Sequence, residues 1–165
     1  MSNEYFNLWF RLDAHDAHLI WFNGEPDGVI VDANGKVACF LNDEDLLRYA
    51  SSLNLSVKTE EPNLHDLDSV ASWLKTENVE TVDCNVFLAA WNLFDDVSRS
   101  VGGDFDADRK KTRKIYEKLF WGTNIPVVTP EGKSYTPIWS KRELKTIRKV
   151  LGEGLSLFRE KVRCK

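Results

Sequence analysis

The sequence predicts a single α+β domain over residues 1–165, an N-terminal antiparallel sheet of about three to four strands followed by a helical C-terminal portion with one small hairpin. Three observations predict it. β-Favouring aromatic and branched residues dominate the first 41 positions, Asn34-Gly35 separates two apolar runs, and from Asn42 onward apolar residues recur at helical spacing behind capping residues.

The first strand is drawn from Tyr5, Phe6, Leu8, Trp9, Phe10 and Leu12, and a second short apolar run is His18 to Phe22. A turn at Gly24-Glu25-Pro26-Asp27-Gly28 follows. Asn34-Gly35, between Val29-Ile30-Val31 and Val37 to Leu41, is the strongest hairpin signal in the chain, because both residues tolerate the positive φ of a tight turn. Asn42 then caps a helix whose first turn, Asp43-Glu44-Asp45, puts negative charge at the positive end of the helix dipole. Leu55 to Lys58 reads as an added edge strand.

A short helix is expected from Asp66 or Asp68 through Leu74, and a longer one from Asp83, with Val86, Ala90, Leu93, Phe94, Val97 and Val101 on its apolar side and Gly102-Gly103 ending it. This is the expected central helix of the core. The next runs from about Asp106 to Trp121 and is basic in its first half. Pro126 to Ile138 reads as the small hairpin. Ser140-Lys141-Arg142-Glu143 is a capping box that opens the last helix, with Leu144, Ile147, Leu151, Leu155, Phe158 and Val162 on one side and Gly152 and Gly154 weakening its middle.

Charge is split along the chain. Residues 1–108 carry 21 acidic and 6 basic side chains, a net of −15, whereas 109–165 carry 16 basic and 5 acidic ones, a net of +11. The total of −4 hides this division. An acidic surface steers positively charged partners and repels nucleic acid; alternatively the two blocks neutralise each other by packing together. With 42% hydrophobic residues and 6 Trp, the chain has the apolar material for a packed core and for aromatic anchors on a binding surface.

Cys39, Cys84 and Cys164 are odd in number, widely spaced and without a paired motif, so they read as reduced thiols. The start, MSNEYFNLWF, has neither a basic region nor a continuous apolar stretch, and no run approaches the ~18 residues of a membrane span. A soluble, cytoplasmic protein without a membrane partner is expected.

Asp13-Ala14-His15-Asp16-Ala17-His18 gathers imidazoles and carboxylates, but a strand would send His15 and His18 to opposite faces and no further ligand is marked elsewhere. The segment reads as a polar turn between strands. Asp104-Phe105-Asp106-Ala107-Asp108 resembles the opening of a calcium loop, yet Arg109 stands where glycine is needed and Ile115 where a bidentate Glu is needed. No nucleophile elbow, phosphate loop or zinc-protease motif occurs, so no catalytic residues, metal or cofactor are expected, and the chain is not read as an enzyme.

The stretch Val29-Ile30-Val31-Asp32, Asn34-Gly35-Lys36-Val37-Ala38-Cys39-Phe40 and Asn42 to Ala50, followed by Leu53 and Leu55, resembles bacterial immunity proteins of contact-dependent growth inhibition and polymorphic toxin systems, in which a hairpin with a D-x-x-G-K turn runs into an acidic-capped helix. The resemblance covers residues 28–55. It implies a cytoplasmic protein without catalysis of its own that binds the C-terminal domain of a cognate toxin, often a basic nuclease, and covers its active site. Carboxylates in turns and first helical turns are the candidate contacts: Glu25, Asp27, Asp43, Glu44, Asp45, Glu60, Glu61, Asp66 and Asp68. The alternative is a nucleic-acid-associated regulator using the basic helix 109–118, with Tyr116 or Trp121 stacking on bases; the acidic first block argues against it.

Overall fold

The computed structural model describes residues 2–76, 81–106 and 109–164. It is an α+β structure built on a mixed sheet. Strands β1 (Glu4–Leu12) and β2 (His15–Asn23) form a long antiparallel hairpin whose turn is Asp13-Ala14, with φ of 54° and 63°. β3 (Gly28–Val29) and β4 (Val37–Phe40) pair antiparallel with β2. Helix α1 (Asp43–Ser52) follows, then β5 (Leu64–Asp66), α2 (Leu67–Lys75), α3 (Cys84–Val101), α4 (Arg109–Gly122), α5 (Lys141–Lys161) and β6 (Val162–Cys164). The sheet order is β5-β1-β2-β4-β6, with β3 alongside β2.

Local chemistry accounts for the helix ends. Asn42 accepts from the Asp45 amide, Asp66 from Ser69 and Asp83 from Val86, and Ser140 and Glu143 close the expected capping box. Gly102 takes the left-handed conformation, φ 72°, that ends α3. In the β3–β4 connection Asp32 accepts from the amides of Asn34 and Lys36 while Gly35 takes φ 75°.

Because side chains alternate along β1 and β2, the sheet has two apolar faces. Leu8, Phe10, Ala17, Leu19, Val29, Val37 and Cys39 face the main core, where α2, α3 and α5 supply Val70, Phe87, Phe94, Leu151 and Phe158 among others. Ile20 faces the opposite way and packs with Leu46 and Ala50 of α1 beside Tyr5, Phe40 and Tyr49. Helix α4 lies outside this sandwich and joins α3 and α5 through Ile115, Leu119 and Tyr116.

Four expectations are corrected. The sheet is mixed and six-stranded instead of antiparallel with three to four strands, because β5 joins β1 and β6 joins β4 in parallel. Both are three-residue strands, too short for a periodic signal. Leu55 to Lys58 contributes an isolated bridge, Tyr5 to Val57, where an edge strand was expected. The 126–138 stretch is a chain of turns and not a hairpin: its prolines remove ladder donors, and the Asn124 amide bonds both the N–H and the C=O of Tyr135 in place of a partner strand. Finally, Cys39 and Cys164 form a disulfide between directly paired residues of β4 and β6, with Cα atoms 4.3 Å apart; Cys84 alone is a free, buried thiol.

Gly152 and Gly154 do not interrupt α5, and they differ in purpose. A Cβ at Gly154 would overlap the ring of Phe94, whereas nothing lies within 4 Å of one at Gly152. Gly154→Ala should therefore destabilise by about 1–3 kcal/mol through overpacking, and Gly152→Ala should stabilise by about 0.5–1 kcal/mol through helix propensity. Urea unfolding of the two variants checks this; equal shifts would refute the close packing of α5 on Phe94.

Candidate functional site: an acidic, aromatic-walled cleft

The described ion pairs show how far the two charge blocks meet. Asp95 with Arg109 and Asp13 with Arg159 join them. Arg11–Asp16, Arg48–Asp45, Lys58–Glu4 and the pairs of Arg99 with Asp95 and Asp96 stay within the acidic block, and Arg113–Glu117 and Lys118–Glu143 within the basic one. Most described ion pairs therefore lie within one block, Lys161–Glu160 included.

The nine candidate carboxylates divide accordingly. Asp27 accepts from the Gly24 amide, Asp43 from the Asn7 side chain and Asp45 from Arg48 and Asn42; Asp66 caps α2. Asp68 accepts from both amides of the β1–β2 turn, Asp13 at 2.6 Å and Ala14 at 2.9 Å. These five hold the chain together. Glu25, Glu44, Glu60 and Glu61 are exposed and, among the described residues, carry no hydrogen bond or ion pair.

Glu60 and Glu61 stand at a cleft of about 420 Å³. The chain touches β1 at Val57 opposite Tyr5 and again at Leu64 opposite Trp9. Seven steps of chain there span what β1 covers in four; the Lys58 amide still donates to the Tyr5 carbonyl, so the excess, residues 59–63, forms a strap at the sheet edge. Between strap and α3 lie Phe6 and Trp21, with ring centroids 5.5 Å apart, and Asn92 and Asp96. Phe6 and Trp21 are paired residues of β1 and β2, and Trp21 packs on the main core beside α3.

Asp96 is fixed in the wall: its carboxylate accepts from Trp21 Nε1 at 2.9 Å and from Arg99 at 2.5 Å. Burial raises its pKa above the usual carboxylate range, against the lowering effect of those two partners. His65, on β5, also lines the cleft; burial lowers its pKa, and its Nδ1 is buried without a hydrogen-bond partner. Aromatic walls with two unpaired carboxylates at the mouth suit a cationic side chain, whose stem stacks on the rings while its charge meets Glu60 and Glu61. Phe6, Trp21, His65 and Asp96 are not among the sequence-derived candidates, since strand pairing of β1 with β2 and β5 and the packing of α3 bring them together from four elements.

The other constellations are structural. His15 bonds the Asp13 carbonyl at 2.7 Å, while His18 meets Asn7 at 2.9 Å and Asp43 at 3.4 Å; both imidazoles lie on β2, and the turn itself is confined to Asp13-Ala14. Asp106 accepts from the Thr112 hydroxyl at the start of α4; Asp108, of the same acidic run, lies outside the described residues. No group of three or more His, Cys, Asp or Glu among the described residues is arranged to hold a metal ion. On the basic helix, Arg109, Arg113 and Lys118 are turned to carboxylates, and Tyr116 donates to Asn92.

Two outcomes separate structural from available carboxylates. Asp68→Ala should cost about 1 kcal/mol by releasing two backbone donors of the hairpin turn, whereas Glu44→Ala should stay within about 0.5 kcal/mol; denaturant midpoints decide, and equal losses would contradict the division. A carboxyl with a raised folded-state pKa binds its proton more tightly when folded. Asp96 therefore contributes stability that is fully present below the ordinary carboxylate pKa and is lost as pH rises through the raised value. Asp96→Asn, which keeps an oxygen acceptor for Trp21, should flatten that limb when urea midpoints are followed from about pH 3 to 7; an unchanged profile would show that Asp96 is not desolvated.

The chain matches no protein-family model and no curated protein. In three dimensions it is similar to the C-terminal domain of SatS, in a crystal structure of that domain in complex with bromine, with a TM-score of 0.57 over 99% of this chain and 94% of that one at 13% sequence identity. The likeness is one of fold.

Proposed function

We propose that the protein is a bacterial immunity protein, a binding protein without chemistry of its own that neutralises a cognate toxin by occluding the active site of its C-terminal domain. The observation that carries this reading is the strap: Glu60 and Glu61 are left unpaired over an aromatic cleft while the basic block of the same chain lies elsewhere. Such a mouth receives a lysine or arginine of a basic domain, a nuclease being the natural case, and the surrounding acidic surface accelerates encounter. Glu25 and Glu44 are likewise exposed and, among the described residues, without a partner, but Glu44 lies on α1 across the sheet from the cleft. Within residues 28–55 the Asp32 turn and the Asn42 cap support the same reading, although β3 and β4 both pair with β2 and their segments meet only at the Val31–Val37 bridge. Action in the cytoplasm belongs to this proposal; there the Cys39–Cys164 bond would meet reducing conditions. For the nucleic-acid alternative, Arg109, Arg113 and Lys118 of helix 109–118 are engaged by carboxylates of this chain, which leaves fewer of its charges for phosphates.

Co-expression with a toxin encoded immediately upstream should protect cells, and the two proteins should co-purify; neither happening would end the reading. Glu60→Lys combined with Glu61→Lys should leave the fold intact, slow association about tenfold or more and flatten its salt dependence. Stopped-flow mixing at two ionic strengths measures both. Unchanged rates would move the interface away from the strap.

A further inference from the structure

The largest exposed apolar side chains are not at the acidic cleft. The two most exposed, Val127 at 91% and Ile138 at 87%, lie in the turns after α4, in the same stretch as Val128 and Tyr135 and just beyond Trp121 at the end of that helix. A patch of this kind marks an interaction surface. It is also pinned. Asn124 holds Tyr135 through both backbone groups, and Lys118 bonds the Ile138 carbonyl and Glu143 while lying 4.7 Å from the centre of the Trp139 ring. A surface ordered in advance loses little conformational freedom on binding. Lys114, Lys118 and Lys133 share a groove with Trp121, Val128 and Tyr135; Lys118 is paired with Glu143 and the accompanying Glu117 with Arg113, and the loop itself carries Glu131 beside Lys133, so Lys114 and Lys133 are the cations it offers.

The complement of that surface is present on the chain itself. The cleft offers aromatic walls for an aliphatic side chain and two unpaired carboxylates for lysines, in a volume of about 420 Å³. The loop leaves α4 where Gly122 packs on Cys84 at the start of α3, whereas the cleft lies along Ala89 to Asp96 of that helix, and Val127 stays uncovered by its own molecule. We propose that the loop of residues 121–138 docks in the acidic cleft of a second copy of this chain, with Val127 or Ile138 against Phe6 and Trp21 and Lys133 or Lys114 against Glu60 and Glu61. Loop and cleft are different surfaces, so the contact is heterologous: it continues from copy to copy unless two molecules make it reciprocally. It covers the strap carboxylates, so a basic partner and a second copy compete for them. An anionic membrane would satisfy the lysines equally, but it offers no socket for the aliphatic tips, and the residues 1–108 with their net of −15 oppose it.

Sedimentation or light scattering on the purified chain tests this without any toxin. Wild-type protein at low salt should rise above its 19.0 kDa mass with concentration and return to it at high salt. Val127→Asp with Ile138→Asp, and separately Glu60→Lys with Glu61→Lys, should each abolish association while keeping the wild-type circular dichroism spectrum. Mixed together, these two double variants should form a one-to-one pair, since one keeps the loop and the other the cleft. Lys133→Glu, which leaves the apolar tips in place, should weaken association about tenfold. Wild-type protein that stays monomeric at low salt, either double variant assembling like wild type, or a mixture that does not pair would overturn the proposal. Monomeric protein that sediments with phosphatidylglycerol vesicles through Val127 and Ile138 would assign the loop to a lipid surface and overturn it too.

Discussion

The β1–β2 ladder is the constraint from which the rest follows. Its residues pair without interruption from Glu4 opposite Asn23 to Leu12 opposite His15, and it presents apolar side chains on both faces. A sheet of that kind is stable in water only when covered twice. One cover is the small α1 layer over Ile20; the other is the larger layer in which α3 and α5 close on Phe94 and Phe158. Even Gly154 follows from this arrangement, since α5 approaches α3 closely enough to leave no room for a side chain there.

The features legible in the sequence were those set by neighbouring residues. Asn42, Asp66, Asp83 and the Ser140–Glu143 box mark helix starts because a cap is a contact across three residues, and Asn34-Gly35 marks a turn for the same reason. What failed depended on distant partners. β6 is three residues that acquire a role only when laid beside β4, 125 residues from Cys164 back to Cys39, and the disulfide is a consequence of that register. The 126–138 stretch has the apolar residues of a hairpin, but its prolines and the Asn124 side chain divert the backbone.

The candidate site divides along the same line. A carboxylate in a turn looks solvent-facing in sequence whether it is available or already holding an amide, so Asp66 and Asp68 read like Glu60 and Glu61 although the structure uses the first two for its own architecture. The cleft residues Phe6, Trp21 and Asp96 lie on three different elements and share no sequence pattern. Charge segregation, by contrast, is visible at once and persists in the fold, because most of the described ion pairs stay within one block. The acidic strap beside β1 and the exposed apolar loop after α4 are separate surfaces.

We propose that the strap and cleft receive a basic partner. Hydrogen exchange of the protein with and without the proposed toxin domain tests this most directly, since the strap amides of residues 59–61 lie in an exposed segment and have slowing to gain on contact. New protection is expected in residues 59–63 and in the 89–96 stretch of α3, with the β4–β6 edge unchanged. Protection confined to β4, α1 and β6, with the strap exchanging as freely as before, would contradict it.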